Sequence, residues 1–477
     1  MKKINVKTLA DSKPFRFYDT IFFSLAALVS FFFMSHPDLW ETANHSYVFL
    51  ECLFSGQFID FYNVVAAHNN GYYYINGANY NVFIYIIFAL WELPVFLFNR
   101  IADLPLVESF IILWAKAVCA GFFAGCGYMV MRLAQKLGLT KERAMLTAAF
   151  FLFNPVAFFS PMVMGQYDTL CLFFTLWALC FYLDGNYTKF SLVIGVGVVC
   201  KFFALLIFVP LILLAEKRLL KIVKYGIISM WLYIPTTLLF MGRTGEAGGF
   251  VSTMIGRMFS AEIPSGQGGA ALFVTVYAII VFAAFLYNPK GKTAYMAVYL
   301  PMAVFGLLFH SIFWHPQWVV LLMPFVVLTT ALHKTRSPWY WLDMVMSAGF
   351  FLLCFCHYGT QTGAVLFDGG WLYSIWWFRV ATAPYWVALD VLLGKVPFLF
   401  QLAPVMFSGA IFANIIFKFP FGSTTFSDKL TADVEYDKIS DKAFLYMIFI
   451  FGFICMWLVP SLAEFASAHN GWMIDIF

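Results

Sequence analysis

Apolar runs about 17–25 residues long recur along this 477-residue chain from residue 18 to residue 460, and no polar stretch between them is long enough for a soluble domain. Runs of that length match the hydrocarbon core of a bilayer crossed as helix. The pattern predicts an all-α polytopic membrane protein with about 13 transmembrane helices: 17–35, 107–131, 142–160, 169–184, 187–201, 202–215, 224–241, 270–288, 293–309, 317–333, 339–357, 396–417 and 443–460. In 36–80, Trp40, Ala43, Tyr47, Leu50 and Phe54 recur at helical spacing, which predicts an amphipathic helix lying on the membrane interface.

Composition sharpens the class. With 62% hydrophobic and 11% charged residues, against about 25% charged in an ordinary soluble domain, the chain cannot build a polar shell. The formal net charge of +4 says less than the placement of the charges. Lys and Arg gather in 2–16, 132–143, 216–224, 288–292, 333–336 and 418–442, which the positive-inside rule places in the cytoplasm together with the N-terminus. Residues 36–80, 160–168, 242–268, 309–317, 358–395 and the terminal "ASAHNGWMIDIF" then lie outside. The basic "MKKINVKTLADSKPFRFYDT" leads into an apolar run without a small-residue cleavage site, so the first span is read as retained.

One apolar segment conflicts with this topology. A full crossing by "NYNVFIYIIFALWELPVFLF", 79–98, would put "RLAQKLGLTKER" outside, so Pro94 is read as a break and the segment as re-entrant. The chain divides into a module 1–215 with its first outer loop 36–80, and further helices in 216–477 with outer loops 242–268 and 358–395. The latter loop carries the aromatic-belt composition "WLYSIWWFRVATAPYW", and "FGSTTFSDKLTADVEYDKISDK" reads as a linker. Nine scattered cysteines without a CxxC pair give no disulfide or metal framework.

Polar residues then stand out. Asp38, Glu41, His45, Gln166, Asp168, Lys201, His310, His315 and Gln317 come from four places in the chain, yet all fall near outer helix ends. An unpaired carboxylate at mid-membrane costs roughly 2.5–3.5 kcal/mol on insertion scales, so Asp168 needs a polar neighbour. Asp38 and Glu41, three residues apart, share one side of a helix: either is placed for a general base, or Asp38 caps the helix with Glu41 at its third position. Lys201 interrupts a long apolar stretch and needs an anion: a phosphate, Asp168, or escape to the interface. Arg243 and Arg257, in a Gly-rich outer loop, fit a bidentate phosphate clamp or interfacial anchors. His310 and His315 flank "SIFW" with no third metal ligand in reach of the pattern, and Lys116 has no partner in the sequence.

"FNPVAFFSPMVMGQYDTLCLFF", with the spans that follow to residue 215, resembles the polyprenyl-phosphate-sugar-dependent glycosyltransferases of the GT-C fold, especially bacterial relatives of GPI mannosyltransferases. Asn154-Pro155, then Gly165, Gln166 and Asp168, then Lys201 followed by Pro210, match that family's pattern. Asp38, with Glu41 close behind, matches its acidic residue after the first span. The Pro-Pro that family members carry after "NY" is missing from "NYNVFIY".

The resemblance implies a GT-C-like bundle with interfacial helices in its first outer loop, set in a bacterial cell membrane. It implies a hexosyltransferase that moves one sugar, with inversion, from a polyprenyl-phosphate donor to a lipid or glycan acceptor on the outer face. Asp38 or Glu41 would be the base, and Tyr80, His45, Gln166, Asp168, Lys201, Arg243, Arg257, His315 and Gln317 would bind substrate. Membrane lipids are expected partners and nucleic acid is not. No resident metal is expected, with a divalent cation left open. A secondary transporter or lipid flippase, and a polysaccharide ligase or polymerase, are the alternatives.

Overall fold

In hydrocarbon a backbone must satisfy its own N–H and C=O groups, and the apolar runs accordingly fold as helices throughout. The computed structural model describes residues 16–67, 77–102, 108–243, 248–265, 268–287, 293–358, 396–421, 424–426, 428 and 439–458. Among these, five helices are long and apolar enough to cross a membrane, and up to eight if each of three bent pairs is one span. The chain is an integral membrane protein. Large apolar side chains such as Phe17, Leu25, Leu28, Ile279 and Phe282 point outward, as a lipid-facing surface requires. Among the described residues each predicted span is largely helical, but several are too short or too bent to count as single crossings, so the expected number of 13 is not reproduced by length and composition.

The differences have local causes. The predicted span 142–160 is broken: Lys141–Leu152 ends, and Pro155–Met164 leaves at 58°. Asn154 caps the new helix by accepting the Val156 N–H at 3.0 Å, and Pro155 occupies its first position, where a missing N–H costs nothing. Gly452 allows the Asp441–Phe453 helix to approach this break, since a Cβ there would lie 2.0 Å from the Pro155 Cβ. The predicted span 224–241 is likewise bent by 49°, between Leu219–Ser229 and Tyr233–Leu239. Two short hairpins, Glu262–Ser265 with Gly268–Ala271 and Pro420–Phe421 with Thr424–Thr425, are minor departures from an all-helical chain.

The segment 79–98 does not break at Pro94. Val82–Ala102 is one helix of 21 residues running through that proline, as helices also run through Pro210, Pro301 and Pro404. Neighbouring helices and small backbone adjustments absorb a lost N–H in a packed membrane helix. Its contacts lie near the starts of the helices Asp168–Leu183 and Glu108–Lys136. Tyr80, just before it, and Phe88, within it, both pack on Tyr167, while Trp91 and Trp114 exchange indole-to-carbonyl hydrogen bonds of 2.8 and 2.9 Å.

The amphipathic helix expected after the first span is Pro37–Phe54, turned 69° from Phe17–Phe33. Ala43 and Leu50 of its predicted stripe are buried, Trp40 and Tyr47 are half-buried and Phe54 is exposed. With Phe61, Tyr62, Val82, Tyr85 and Phe96 it closes a second apolar core distinct from that of the main bundle. The predicted belt 358–395, apart from Tyr358, and the tail after residue 458 lie outside the described residues.

Candidate active site

The first turn of the site is built where Phe17–Phe33 gives way to Pro37–Phe54. Pro37 starts the second helix and His36 is its N-cap, so the capping role open to Asp38 in the sequence belongs to His36. The His36 Nδ1 lies 3.2 Å from the Asp38 N–H and 3.3 Å from the Asp38 carboxylate; which it serves depends on whether that nitrogen carries the proton. Burial works to raise the Asp38 pKa, but His36, His315 and Lys201 outweigh it and hold the carboxyl below its ordinary value. Its side chain is 47% exposed, so the carboxylate is ionised and reachable.

Lys116 fixes the end of the preceding helix. Its buried ammonium donates to the carbonyls of Ser30 (3.0 Å), Phe31 (2.9 Å) and Met34, at a helix end where carbonyls run short of N–H partners; Ser30 also accepts the Met34 N–H at 3.3 Å. This is the partner set that the sequence did not reveal.

The second piece is the stretch from Asn154 to Asp168. After the break, Phe159–Met164 widens into a π-helical turn containing Pro161, which cannot donate to an ordinary helical ladder. Gly165 then reverses the chain at φ +74, in the left-handed region, with a would-be Cβ 2.8 Å from Leu39 Cδ2 and 3.2 Å from Lys116 Cγ. The His36 N–H donates to the Met164 carbonyl at 2.8 Å and joins the two pieces. Gln166 thereby reaches Asp38, its Nε2 donating to Asp38 Oδ2 at 3.4 Å. Asp168 opens the helix Asp168–Leu183, where the helix dipole favours a carboxylate.

Lys201 lies at a hinge. The helix Tyr187–Cys200 stops, Lys201 is extended, and Phe203–Ala215 begins two residues later. Its ammonium donates to Asp168 Oδ1, and the two side chains are 2% and 0% exposed. Three rings surround the cation, with centroids 5.5 Å (Tyr80), 5.2 Å (Tyr167) and 5.7 Å (Trp318) from Nζ. Asp168 Oδ2 is buried without a hydrogen-bond partner among the described residues.

Trp318 extends the cluster. Its ring lies 5.5 Å from the Arg257 guanidinium and 4.9 Å from the ring of His315, and the Arg257 Nη2 is 3.5 Å from His315 Nε2. Lys201, His315 and Arg257 thus gather around one indole, although they come from three separate parts of the chain. Gln317 sits beside it on the same 3-10 turn, Pro316–Leu321, buried with its Oε1 unpartnered among the described residues.

Other predicted residues lie further off. His45 is buried edge-on against Tyr85, whose hydroxyl accepts the Tyr80 N–H at 3.3 Å. Glu41 is half-buried one turn beyond Asp38, and it is Asp38 that meets Gln166. Arg243 does not join the cluster around Trp318: it pairs with Asp60 at 3.0 Å, in a surface pair 38% and 51% exposed. His310 is exposed and packs on Phe412. Among the described residues no group of three or more His, Cys, Asp or Glu side chains converges as a metal site would require. Sequence reasoning did not single out Tyr167, Trp318 or His36. Tyr167 lies inside the Gln166–Asp168 motif and Trp318 beside Gln317, so adjacency was the one available signal.

No family model and no curated protein matches the chain. Two solved structures have a distantly similar trace. A crystal structure of ArnT from Cupriavidus metallidurans in the apo state gives a TM-score of 0.46 at 15% identity over 96% of this chain and 78% of that one. The same protein bound to undecaprenyl phosphate gives 0.42 at 15% identity over 90% and 77%. At such scores the functional reading rests on the side chains described above.

Proposed function

We propose that this chain is a membrane glycosyltransferase that moves one sugar from a polyprenyl-phosphate donor to an acceptor hydroxyl, with inversion, on the outer face of a bacterial cell membrane. The observation that carries the reading is the joining of an open carboxylate, Asp38, through Gln166 to the segment holding the buried Asp168–Lys201 pair, with Arg257 and His315 across Trp318. A base and a cationic anion site lie together, which a transfer between hydroxyl and phosphate ester needs.

In this reading the acceptor hydroxyl loses its proton to Asp38 as its oxygen bonds to the anomeric carbon, and the bond from that carbon to the phosphate oxygen breaks on the opposite face. The leaving prenyl phosphate takes the electron pair and is held by Arg257 and Lys201, so charge stabilisation replaces a general acid. A phosphate meets the more accessible Arg257 first and reaches Lys201 once the rings of Tyr80 and Trp318 give way. The spare Asp168 Oδ2 accepts from a sugar hydroxyl. Glu41, Gln317 and His45 support the pocket from the neighbouring shell. The GPI-mannosyltransferase likeness leaves mannose as the first sugar to try.

The test is transfer of radiolabelled sugar from prenyl phosphate by the purified chain in detergent. Asp38→Asn lowers turnover by roughly 10²–10⁴-fold with donor binding retained. Near-normal transfer by Asp38→Asn with loss in Glu41→Gln moves the base by one turn, and full activity in both removes the mechanism. The buried Asp168–Lys201 pair also suits a transporter's coupling pair. Against that reading, Phe325, Val326 and Leu328, buried and apolar, fill the helix beneath Trp318. Turnover without any gradient separates the two.

A further inference from the structure

The helix Leu219–Ser229 presents sides of three different kinds. At about 3.6 residues per turn, Tyr225 and Ser229 share one side, and that side is held by protein. The Tyr225 ring lies 6.2 Å from the Tyr187 ring, and a Cβ on Gly195 would meet the Ser229 carbonyl at 2.7 Å, so the helix Tyr187–Cys200 comes close. Just past the end, Trp231 donates its indole N–H to the Leu192 carbonyl at 3.0 Å. A second side carries Leu220, Val223 and Ile227 at i, i+3 and i+7, all exposed. Together with Tyr233–Leu239 this helix makes a bent apolar pair of spanning length, so hydrocarbon is the natural neighbour of that stripe.

A basic edge borders the stripe. Lys221 and Lys224 each follow a residue of the stripe by one position, are exposed, and at three apart are neighbours on successive turns. Glu216, the acid just before this helix, is already answered: Arg218 donates to it through Nε at 2.8 Å and Nη2 at 2.7 Å, and the Lys217 and Arg218 N–H groups each donate at 3.0 Å. Lys217 is likewise engaged, with the carbonyls of Leu213 at 2.6 Å and Ala284 at 2.9 Å. Lys221 therefore meets Glu216 only at 4.0 Å, and Lys224 has no carboxylate ion-paired to it among the described residues. The helix itself contains no acidic residue, so the positive end of its dipole adds to the two lysines. An apolar stripe open to hydrocarbon, edged by cations short of an anion, is complementary to an amphiphile with a negative head.

We propose that this face binds an anionic glycerophospholipid, its phosphate held by Lys221 and Lys224 and an acyl chain lying along Leu220, Val223 and Ile227. The stripe commits the site to a lipid, because a free phosphate ester would use the lysines and leave the apolar side chains bare. The missing anion commits it to a lipid of net negative charge, because a choline headgroup brings its own cation to an edge that already has two.

The test is native mass spectrometry of the purified full chain, released from detergent after titration with phosphatidylglycerol or phosphatidylcholine. Phosphatidylglycerol binds roughly tenfold tighter than phosphatidylcholine. Lys221→Gln combined with Lys224→Gln weakens phosphatidylglycerol by roughly 10–30-fold and leaves phosphatidylcholine unchanged. Lys334→Gln, at an exposed lysine of another connection, changes it by less than about twofold. Equal binding of the two lipids or an unchanged affinity in the double variant overturns the proposal. An equal loss in Lys334→Gln overturns it too, since the attraction would then be diffuse. Displacement of phosphatidylglycerol by sn-glycerol 3-phosphate would give the lysines to a free ester, and a dimer that dissociates on Ile227→Lys would give the stripe to a second copy of the chain; either result removes the lipid site.

Discussion

Lys116 and Lys201 are both buried ammonium groups in the same cluster of helices, and their partners differ in kind. Lys116 gives its three N–H groups to three carbonyls at the end of Phe17–Phe33. Lys201 gives a hydrogen bond to one carboxylate oxygen, while rings face the rest of its ammonium and the other carboxylate oxygen has no partner among the described residues. The first cation is saturated by backbone that cannot leave. The second holds a partner and a set of π faces that an incoming anion can replace. A buried lysine in a membrane protein is therefore a functional candidate according to its spare bonding capacity, and burial alone does not decide it.

The largest effect that sharpens this contrast is expected from Lys201→Met. It removes the cation from the proposed leaving group, and transfer falls by roughly 10²–10³-fold. It also strands Asp168, and breaking a buried pair from one side costs about 3–5 kcal/mol. Lys201→Met combined with Asp168→Asn separates the two consequences: melting temperature recovers and transfer does not. Recovery of transfer in the double variant would erase the distinction between the two lysines. Lys116→Met comes next and acts on stability. The Phe31 and Met34 carbonyls lose their donor while Ser30 keeps the Met34 N–H; each carbonyl left dry costs about 1–3 kcal/mol, so the melting temperature drops while sugar transfer per folded molecule stays within about twofold of wild type, the reference being a rate change of tenfold for 1.36 kcal/mol. A tenfold loss of turnover with unchanged melting would place Lys116 in the chemistry.

How much of this was legible in the sequence follows from what each feature depends on. Helices were readable because an apolar run long enough to cross a bilayer has few other structures open to it. The convergence of Asp38, Gln166, Asp168 and Lys201 was readable because polar side chains at the helix ends of so apolar a chain are costly unless they meet. The break before Pro155 carried a capping signal, Asn-Pro, but the apolar residues continue past it and the run reads as one span. Pro94 misled in the opposite direction, since packing can carry a helix through a proline. Lys116 could not be assigned because its acceptors are backbone carbonyls, which every sequence has. Trp318 is one of 15 tryptophans and carries no mark of its place between two cations.

Arg257→Gln has an intermediate expected effect. The guanidinium is half-buried over Phe313 and Trp318, at 5.2 and 5.5 Å, and is the accessible member of the cation cluster. Losing a hydrogen bond to a charged group is worth about 1.5–3 kcal/mol, so KM for the donor rises by roughly 10–100-fold with a smaller change in kcat. An equal fall in kcat with KM unchanged would instead put Arg257 at the transition state alone, and would make Lys201 the ground-state anchor.

Arg243→Gln should do least, and for a reason that completes the comparison. Arg243 and Asp60 are 3.0 Å apart, but both side chains are substantially exposed, so water and salt screen the pair. Exposed pairs contribute about 0–1 kcal/mol, which leaves melting nearly unchanged and little to lose in transfer. Its sequence position, in the same Gly-rich loop as Arg257, gave it equal standing as a phosphate ligand. Geometry separates the two: Arg257 shares an indole with Lys201, and Arg243 has a carboxylate of its own. A tenfold rise in donor KM on Arg243→Gln, measured beside Asp60→Asn, would show that the pair opens and the loop closes on the phosphate during turnover. Spare bonding capacity in the resting structure would then be the wrong guide, because an arginine ion-paired to a carboxylate would have served as well as Arg257, which has no such ion pair among the described residues.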